Sequence, residues 1–134
     1  MLDDIHPGHS YTMERLVEGK YCTRRGEYQI FSTPDLVLLL EETAIEALAP
    51  HLPDTQSSVG SKVEVAHVAP TLFGQHVWCT ATVTLVDRRR VVFDIQARDD
   101  VETIASGTHE RFVVDLDRFS VRLAEKASAV PEAG

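Results

Sequence analysis

The stretch 33–50, TPDLVLLLEETAIEALAP, decides the fold. Its apolar residues recur at helical spacing, and both of its ends carry helix signals. Thr33 is a natural N-cap, Pro34 suits the first helical position, and Asp35 favours the positive end of the helix dipole. Pro50 stops the helix and Pro53-Asp54 continues the turn. The spacing predicts one long helix over 34–49. At about 100° per residue, Val37, Ala44 and Leu48 share one face, flanked by Leu40 and Ile45. Glu41 falls inside that apolar stripe, while Glu42 and Glu46 fall on the opposite, polar side. A carboxylate on a buried face is costly unless it is paired, hydrogen-bonded or neutralised. Glu41 is therefore either an edge or structural hydrogen-bonding residue, or a functional acid.

Downstream of the helix the period changes from that of a helix to that of strands. Val59 to Val68 alternates, with Val63, Val65 and His67 on one side and Lys62 and Glu64 on the other. Pro70 to Gly74 breaks that pattern. Val77, Cys79, Ala81, Val83 and Leu85 then alternate with Trp78, Thr80, Thr82 and Thr84, a run rich in strand formers. Asp87-Arg88-Arg89-Arg90 is a polar turn, and Val91, Phe93, Ile95 and Ala97 form the returning strand. Asp99-Asp100 is a second turn, and Val101 to Leu116 is the last strand, with Gly107 as a candidate bulge or bend. Upstream, Tyr11 to Val17 alternates weakly as a first strand, and Lys20 to Tyr28 reads as a loop. One helix against an antiparallel sheet makes an α+β two-layer domain, spanning 1–123. Residues 124–134, rich in Ala, Ser, Pro and Glu and without apolar periodicity, read as a flexible tail.

Composition narrows the function. The 134 residues suit one domain, with 43% apolar and 25% charged residues. No apolar run approaches the roughly 20 residues of a membrane helix. Met1-Leu2-Asp3-Asp4 lacks the basic and apolar parts of a secretion signal, so a cytoplasmic protein is expected. The net charge of −8 repels phosphate backbones, which argues against nucleic acid as a partner. The local clusters Arg24-Arg25 and Arg88-Arg89-Arg90 could still hold a small phosphorylated ligand, although the triple Arg also suits a solvated hairpin tip. Cys22 and Cys79 have no metal-ligand spacing and read as reduced thiols. His6 and His9 alone make a weak metal pair, and no metal site is expected.

Two further residues bear on chemistry. His67 shares a strand face with Val63 and Val65. A helix packed on that face could bring it to Glu41, where imidazole and carboxylate could move protons near neutral pH; the alternative is a satisfied core histidine. Thr33 puts a hydroxyl at the helix N-terminus, where backbone N–H groups can hold an oxyanion.

Thr33, Glu41 eight residues on, and the pair Gly60 and His67 seven apart on the next strand are a pattern similar to that of the fluoroacetyl-CoA thioesterase-like branch of the hotdog superfamily. The segments 41–52, 60–67 and Ser106-Gly107-Thr108-His109-Glu110-Arg111 also resemble family segments, and the likeness runs from about 10 to 120. It implies a hotdog fold, a long helix wrapped by an antiparallel sheet, and a homodimer with its active site near the subunit interface, with pairing into tetramers left open. It implies hydrolysis of a small acyl-CoA thioester without a cofactor, with Thr33, Glu41 and His67 catalytic and Gly60 touching substrate. Arg88, Arg90 and Arg111 are the expected contacts for CoA, Arg111 with a strand-face ion pair as its other reading. Arg24-Arg25-Gly26-Glu27-Tyr28 lacks the Phe-rich lid tied to fluoroacetyl selectivity, and Pro34 removes one N–H from the helix start. A non-catalytic acyl-CoA binder and a hotdog hydratase or dehydratase are the competing functions; the Asp/His pattern of the last is not found.

Overall fold

A computed structural model describes residues 4–132. Strands β1 (Ser10–Leu16), β4 (Gln56–His67), β5 (His76–Asp87), β6 (Arg90–Arg98) and β7 (Thr103–Asp115) form one antiparallel sheet in the order β1-β5-β6-β7-β4. Helix α1 (Thr33–Leu48) lies across one face of it. The alternation read from sequence holds except at Leu85, which a bulge after Val83 turns outward, 44% exposed. Val77, Cys79, Ala81 and Val83 of β5 and Val91, Phe93, Ile95 and Ala97 of β6 are buried, and so are Leu36, Leu39, Leu40, Ala44 and Leu48 of α1. Each fully buried Leu or Ile contributes about 1.5–3 kcal/mol, so the helix–sheet layer is the core. This is the expected hotdog arrangement of a long helix and an antiparallel sheet.

Several local readings are corrected. The N-cap is Ser32, whose backbone is extended and whose hydroxyl accepts from the Asp35 N–H at 3.2 Å. Thr33 is thus already the first helical residue, which frees its side chain. The buried helix face is rotated from the one the wheel favours: Ile45 and Leu38 are 40% and 48% exposed, and Glu41 lies at the edge of the buried stripe. Lys20 to Tyr28 contains a strand and the start of another. Here β2 (Cys22–Arg25) and β3 (Tyr28–Phe31) form a separate hairpin turning at Gly26, where φ is 62°. Its polar sequence reflects a ribbon with little buried surface.

Gly107 marks no bulge. A Cβ there would lie 2.0 Å from the Glu64 carbonyl oxygen, so glycine lets β4 and β7 pass closely. The bulge falls instead between Gly60 and Lys62. Without it, the two-residue period would put Gly60 and Val63 on opposite faces; the extra residue Ser61 brings Gly60 to the helix side along with Val63 and Val65. Residues 124–129, read as tail, belong to helix α2 (Leu116–Ala129). That segment is helical through its Ala, Glu and Lys content, a propensity signal rather than a periodic one. Residues 133 and 134 lie outside the described residues. Among the described residues no helix is long and apolar enough to cross a membrane.

Candidate active site

Two clusters of polar side chains line up along α1 and β4. The first is at the helix start. Thr33 Oγ1 lies 2.8 Å from His67 Nδ1, joining the first helical residue to the end of β4. His67 Nε2 is shielded from solvent and has no hydrogen-bond partner among the described residues, a state that buried polar atoms rarely keep. Burial holds the imidazole below its usual pKa, an effect partly offset by the backbone of Ala69. His67 and Thr33 line an open cleft of about 370 Å³, overhung by Thr23, Arg25 and Ile30 of the β2–β3 hairpin. Main-chain donors are scarce here. Pro34 has no N–H, Asp35 N–H goes to the Ser32 hydroxyl, and Leu36 N–H goes to the Ser32 carbonyl at 3.0 Å. The Thr33 N–H is left without a partner among the described residues, so it can receive a developing oxyanion.

The second cluster lies two helical turns on. Glu41 Oε2 is 3.5 Å from Arg111 Nη1; the arginine side chain is 4% exposed and the carboxylate 36%. Gly60 sits beneath them. A Cβ at Gly60 would stand 3.0 Å from Glu41 Oε2, 3.2 Å from Arg111 Nη1 and 3.4 Å from His109 Cε1. Gly60 therefore makes room for this cluster. The half-exposed charge on the helix stripe is paired with a nearly buried arginine, the partner that the arginine's burial requires. Desolvation lowers the Arg111 pKa, and Glu41 opposes that shift.

The two clusters do not meet within one chain. Eight residues of helix separate Thr33 from Glu41, about 12 Å along the axis, and the strand from Gly60 to His67 spans roughly 20 Å. His67 bonds Thr33 rather than meeting Glu41. Arg88 sits at the exposed tip of the β5–β6 hairpin, with φ of 59°. Arg90 is held by Glu110 at 3.0 Å and Asp87 at 3.8 Å. Neither lies in the clusters. Sequence reading missed Ser58, which takes two hydrogen bonds from Arg111, and the link between His109 and Arg111. The i, i+2 spacing of that pair on β7 was the available signal. Among the described residues no group of three His, Cys, Asp or Glu could hold a metal.

Comparison with known proteins identifies the family and the fold. The profile of the fluoroacetyl-CoA-specific thioesterase family, FlK, matches residues 13–117. A fluoroacetyl-CoA thioesterase of Streptantibioticus cattleyicolor is 37% identical over 101 residues, 75% of this chain and 73% of that protein. The solved fluoroacetyl-CoA thioesterase FlK superposes with a TM-score of 0.84 at 30% identity, covering 95% of this chain and 98% of its own. A hot-dog-like protein from Thermanaerovibrio acidaminovorans gives 0.83 at 31%, covering 90% and 91%.

Proposed function

The chain belongs to the fluoroacetyl-CoA-specific thioesterase family, and on that premise we propose that it hydrolyses a small acyl-CoA thioester to the free acid and CoA, as a cytoplasmic homodimer, with Thr33, Glu41 and His67 as its reacting set. The observation that carries the reading is the division of the set into two clusters, each complete but about 12 Å from the other along one helix. A second copy joins them if the helices cross, so that Glu41 of one protomer faces Thr33 and His67 of the other. Two features support such a pairing. Strand β4 is a sheet edge of 12 residues with a neighbour on one side only, a surface that proteins normally cover. Beside it, α1 exposes Leu38 and Ile45 along with Glu41.

The chemistry follows from the groups. The carbonyl of the thioester lies near the helix start, with the Thr33 N–H directed at its oxygen. The Glu41 carboxylate either attacks the carbonyl carbon, giving an acyl-enzyme anhydride and expelling the CoA thiolate, or takes a proton from water as that water attacks. The Thr33 hydroxyl donates to the carboxylate or to the carbonyl. On the anhydride route the CoA thiolate leaves first, and His67, its pKa lowered by burial, then takes a proton from the water that opens the anhydride, giving the free acid and the regenerated Glu41 carboxylate; on the other route His67 relays to the thiolate the proton that Glu41 has taken. Gly60 leaves the room in which Glu41 and substrate meet. Arg111 holds Glu41 and faces the same space. Arg88 and Arg90 serve as contacts for the CoA phosphates; Arg90 would exchange its Glu110 pairing for phosphate, and both substitutions would flatten the salt dependence of CoA affinity.

The test is subunit mixing, read by thiol release from a panel of short, branched and aromatic acyl-CoAs. Glu41→Gln and Thr33→Ala proteins each lose about 10²–10⁴-fold in turnover alone. Mixed dimers regain one intact site, so activity reappears on mixing. Undiminished turnover in Glu41→Gln defeats the catalytic assignment. Inactive mixtures whose mixed dimers are shown to form defeat the shared site.

A further inference from the structure

Arg111 is nearly buried yet reaches Glu41 through a narrow opening, and the groups that aim it can be read off in full. Its Nε donates to Ser58 Oγ at 2.9 Å and its Nη2 to the Ser58 carbonyl at 3.1 Å. Its Nη1, the atom that faces Glu41 at 3.5 Å, lies 3.2 Å from His109 Nε2. His109 is itself fully buried, with Nδ1 2.8 Å from the Lys62 carbonyl oxygen and its ring stacked near Phe93. A carbonyl oxygen only accepts and a guanidinium only donates. Nδ1 must therefore carry the proton and Nε2 must be the bare acceptor. One tautomer of the neutral ring satisfies both neighbours, and the imidazolium satisfies only one.

We propose that His109 is a positioning residue: as the neutral Nδ1–H tautomer it fixes the Nη1 edge of Arg111, and through it the carboxylate of Glu41. The claim rests on the reading of Glu41 as the reacting carboxylate. The backbone of β4 thus sets the aim of a helix side chain through two intervening residues. Protonation of His109 would set an N–H against the Arg111 N–H groups and release the guanidinium. The groups that face the ring are Glu41 from α1, Arg111 and Glu110 from β7, the Lys62 carbonyl from β4, and the uncharged Phe93 from β6. Burial and then Arg111 hold the ring in its neutral form, against the Lys62 carbonyl and the two glutamates. The aim therefore survives into mildly acidic solution and then fails.

The test combines 15N spectra of the His109 ring and the Arg111 Nη groups with pH profiles of kcat/KM, in the full chain, His109→Phe and His109→Gln. The expected wild-type ring is protonated on Nδ1 alone at pH 7, and Arg111 shows resolved, slowly exchanging Nη signals. In His109→Phe those signals average and kcat/KM falls about ten- to hundredfold, mainly in kcat, as when an outer partner of a reacting ligand is lost. His109→Gln restores an acceptor, so it regains resolved signals and most of the rate, and it loses the His109 acid limb. A ring protonated on Nε2, or Nη signals unchanged in His109→Phe, overturns the proposal. If His109→Phe does not fold, a His109→Gln protein with averaged signals or the wild-type acid limb overturns it. If the wild type releases no thiol from any acyl-CoA, the hydrolase reading falls, while the tautomer and the Nη signals still decide whether His109 aims Arg111.

Discussion

The two ends of β4 are built on opposite principles. At the His67 end a hydroxyl and an uncharged imidazole share one hydrogen bond beside an open cleft. At the Gly60 end a carboxylate and a guanidinium are pressed together over a residue with no side chain, and Ser58 and His109 take three of the five guanidinium donors. Burying a cation is tolerable only when its donors are matched, so the Gly60 end is rigid by necessity. The His67 end carries no such constraint and can remain open to a ligand. A single helix presents both, too far apart to act together, and the proposed second copy is what would join them.

The largest expected effect breaks this contrast by crowding. Gly60→Ala places a methyl carbon 3.0 Å from Glu41 Oε2 and 3.2 Å from Arg111 Nη1. The guanidinium is fixed on three sides, so the carboxylate moves. A displaced reacting group costs about ten- to a hundredfold in kcat/KM, and overpacking costs about 1–3 kcal/mol in denaturant unfolding. The matching change at the open end, Thr33→Ser, removes a methyl and keeps the hydroxyl, and less than about a tenfold loss is expected. Equal losses at the two ends would show that they do not differ in rigidity.

A smaller effect separates the helix start from the chemistry carried on it. Ser32 caps α1 while Thr33 faces His67. Ser32→Ala should lower stability by about 1 kcal/mol and leave the Thr33–His67 hydrogen bond in place. Thr33→Ala should barely change the unfolding midpoint, although it removes the hydroxyl that faces His67. If Thr33→Ala proves the more destabilising, Thr33 is the true cap.

The sequence made the helix and the long strands readable, because each left a local mark. The 3.6 and 2 periods placed α1, β5 and β6, and an acid inside an apolar stripe singled out Glu41 as a candidate. What it left unread was set by tertiary contact. Ser32 and Thr33 are both competent caps, and only the backbone geometry decides between them. The face of α1 was misjudged because Ile45, which is exposed, is as apolar as Leu36 and Leu39, which are buried. The bulge at Ser61 has no compositional signature, yet it brings Gly60 to the helix side of the sheet. His109 and Arg111 were visible as a pair on one strand face, but their link to Glu41 depends on that bulge. Helix α2 went unseen although Leu116, Phe119 and Leu123 recur at helical spacing, because Leu116 was read as the end of the last strand and the segment after Leu123 has no apolar stripe of its own.

The smallest effect compares the two histidines by pH. Burial lowers the pKa of both His67 and His109 in the folded protein. In the window between the folded value and the ordinary histidine value near 6.5, the unfolded chain then binds more protons than the folded one. Stability rises with pH wherever that holds. Both contributions are therefore fully present above the ordinary histidine range, and both decline as pH falls through it toward the folded values. The decline should differ between the ends. His109 is sealed between Phe93 and Arg111, and protonation also costs it the hydrogen bond from Arg111, whereas His67 can turn toward the cleft and recover water. Denaturant midpoints measured from pH 7.5 down to about pH 5 should fall for the wild type. They should fall less steeply for His109→Gln, with only a slight change for His67→Gln. A steeper flattening in His67→Gln would mean that the His67 end, and not the Gly60 end, is the tightly closed part of the site, and the contrast on which the shared-site geometry is argued would have to be reversed.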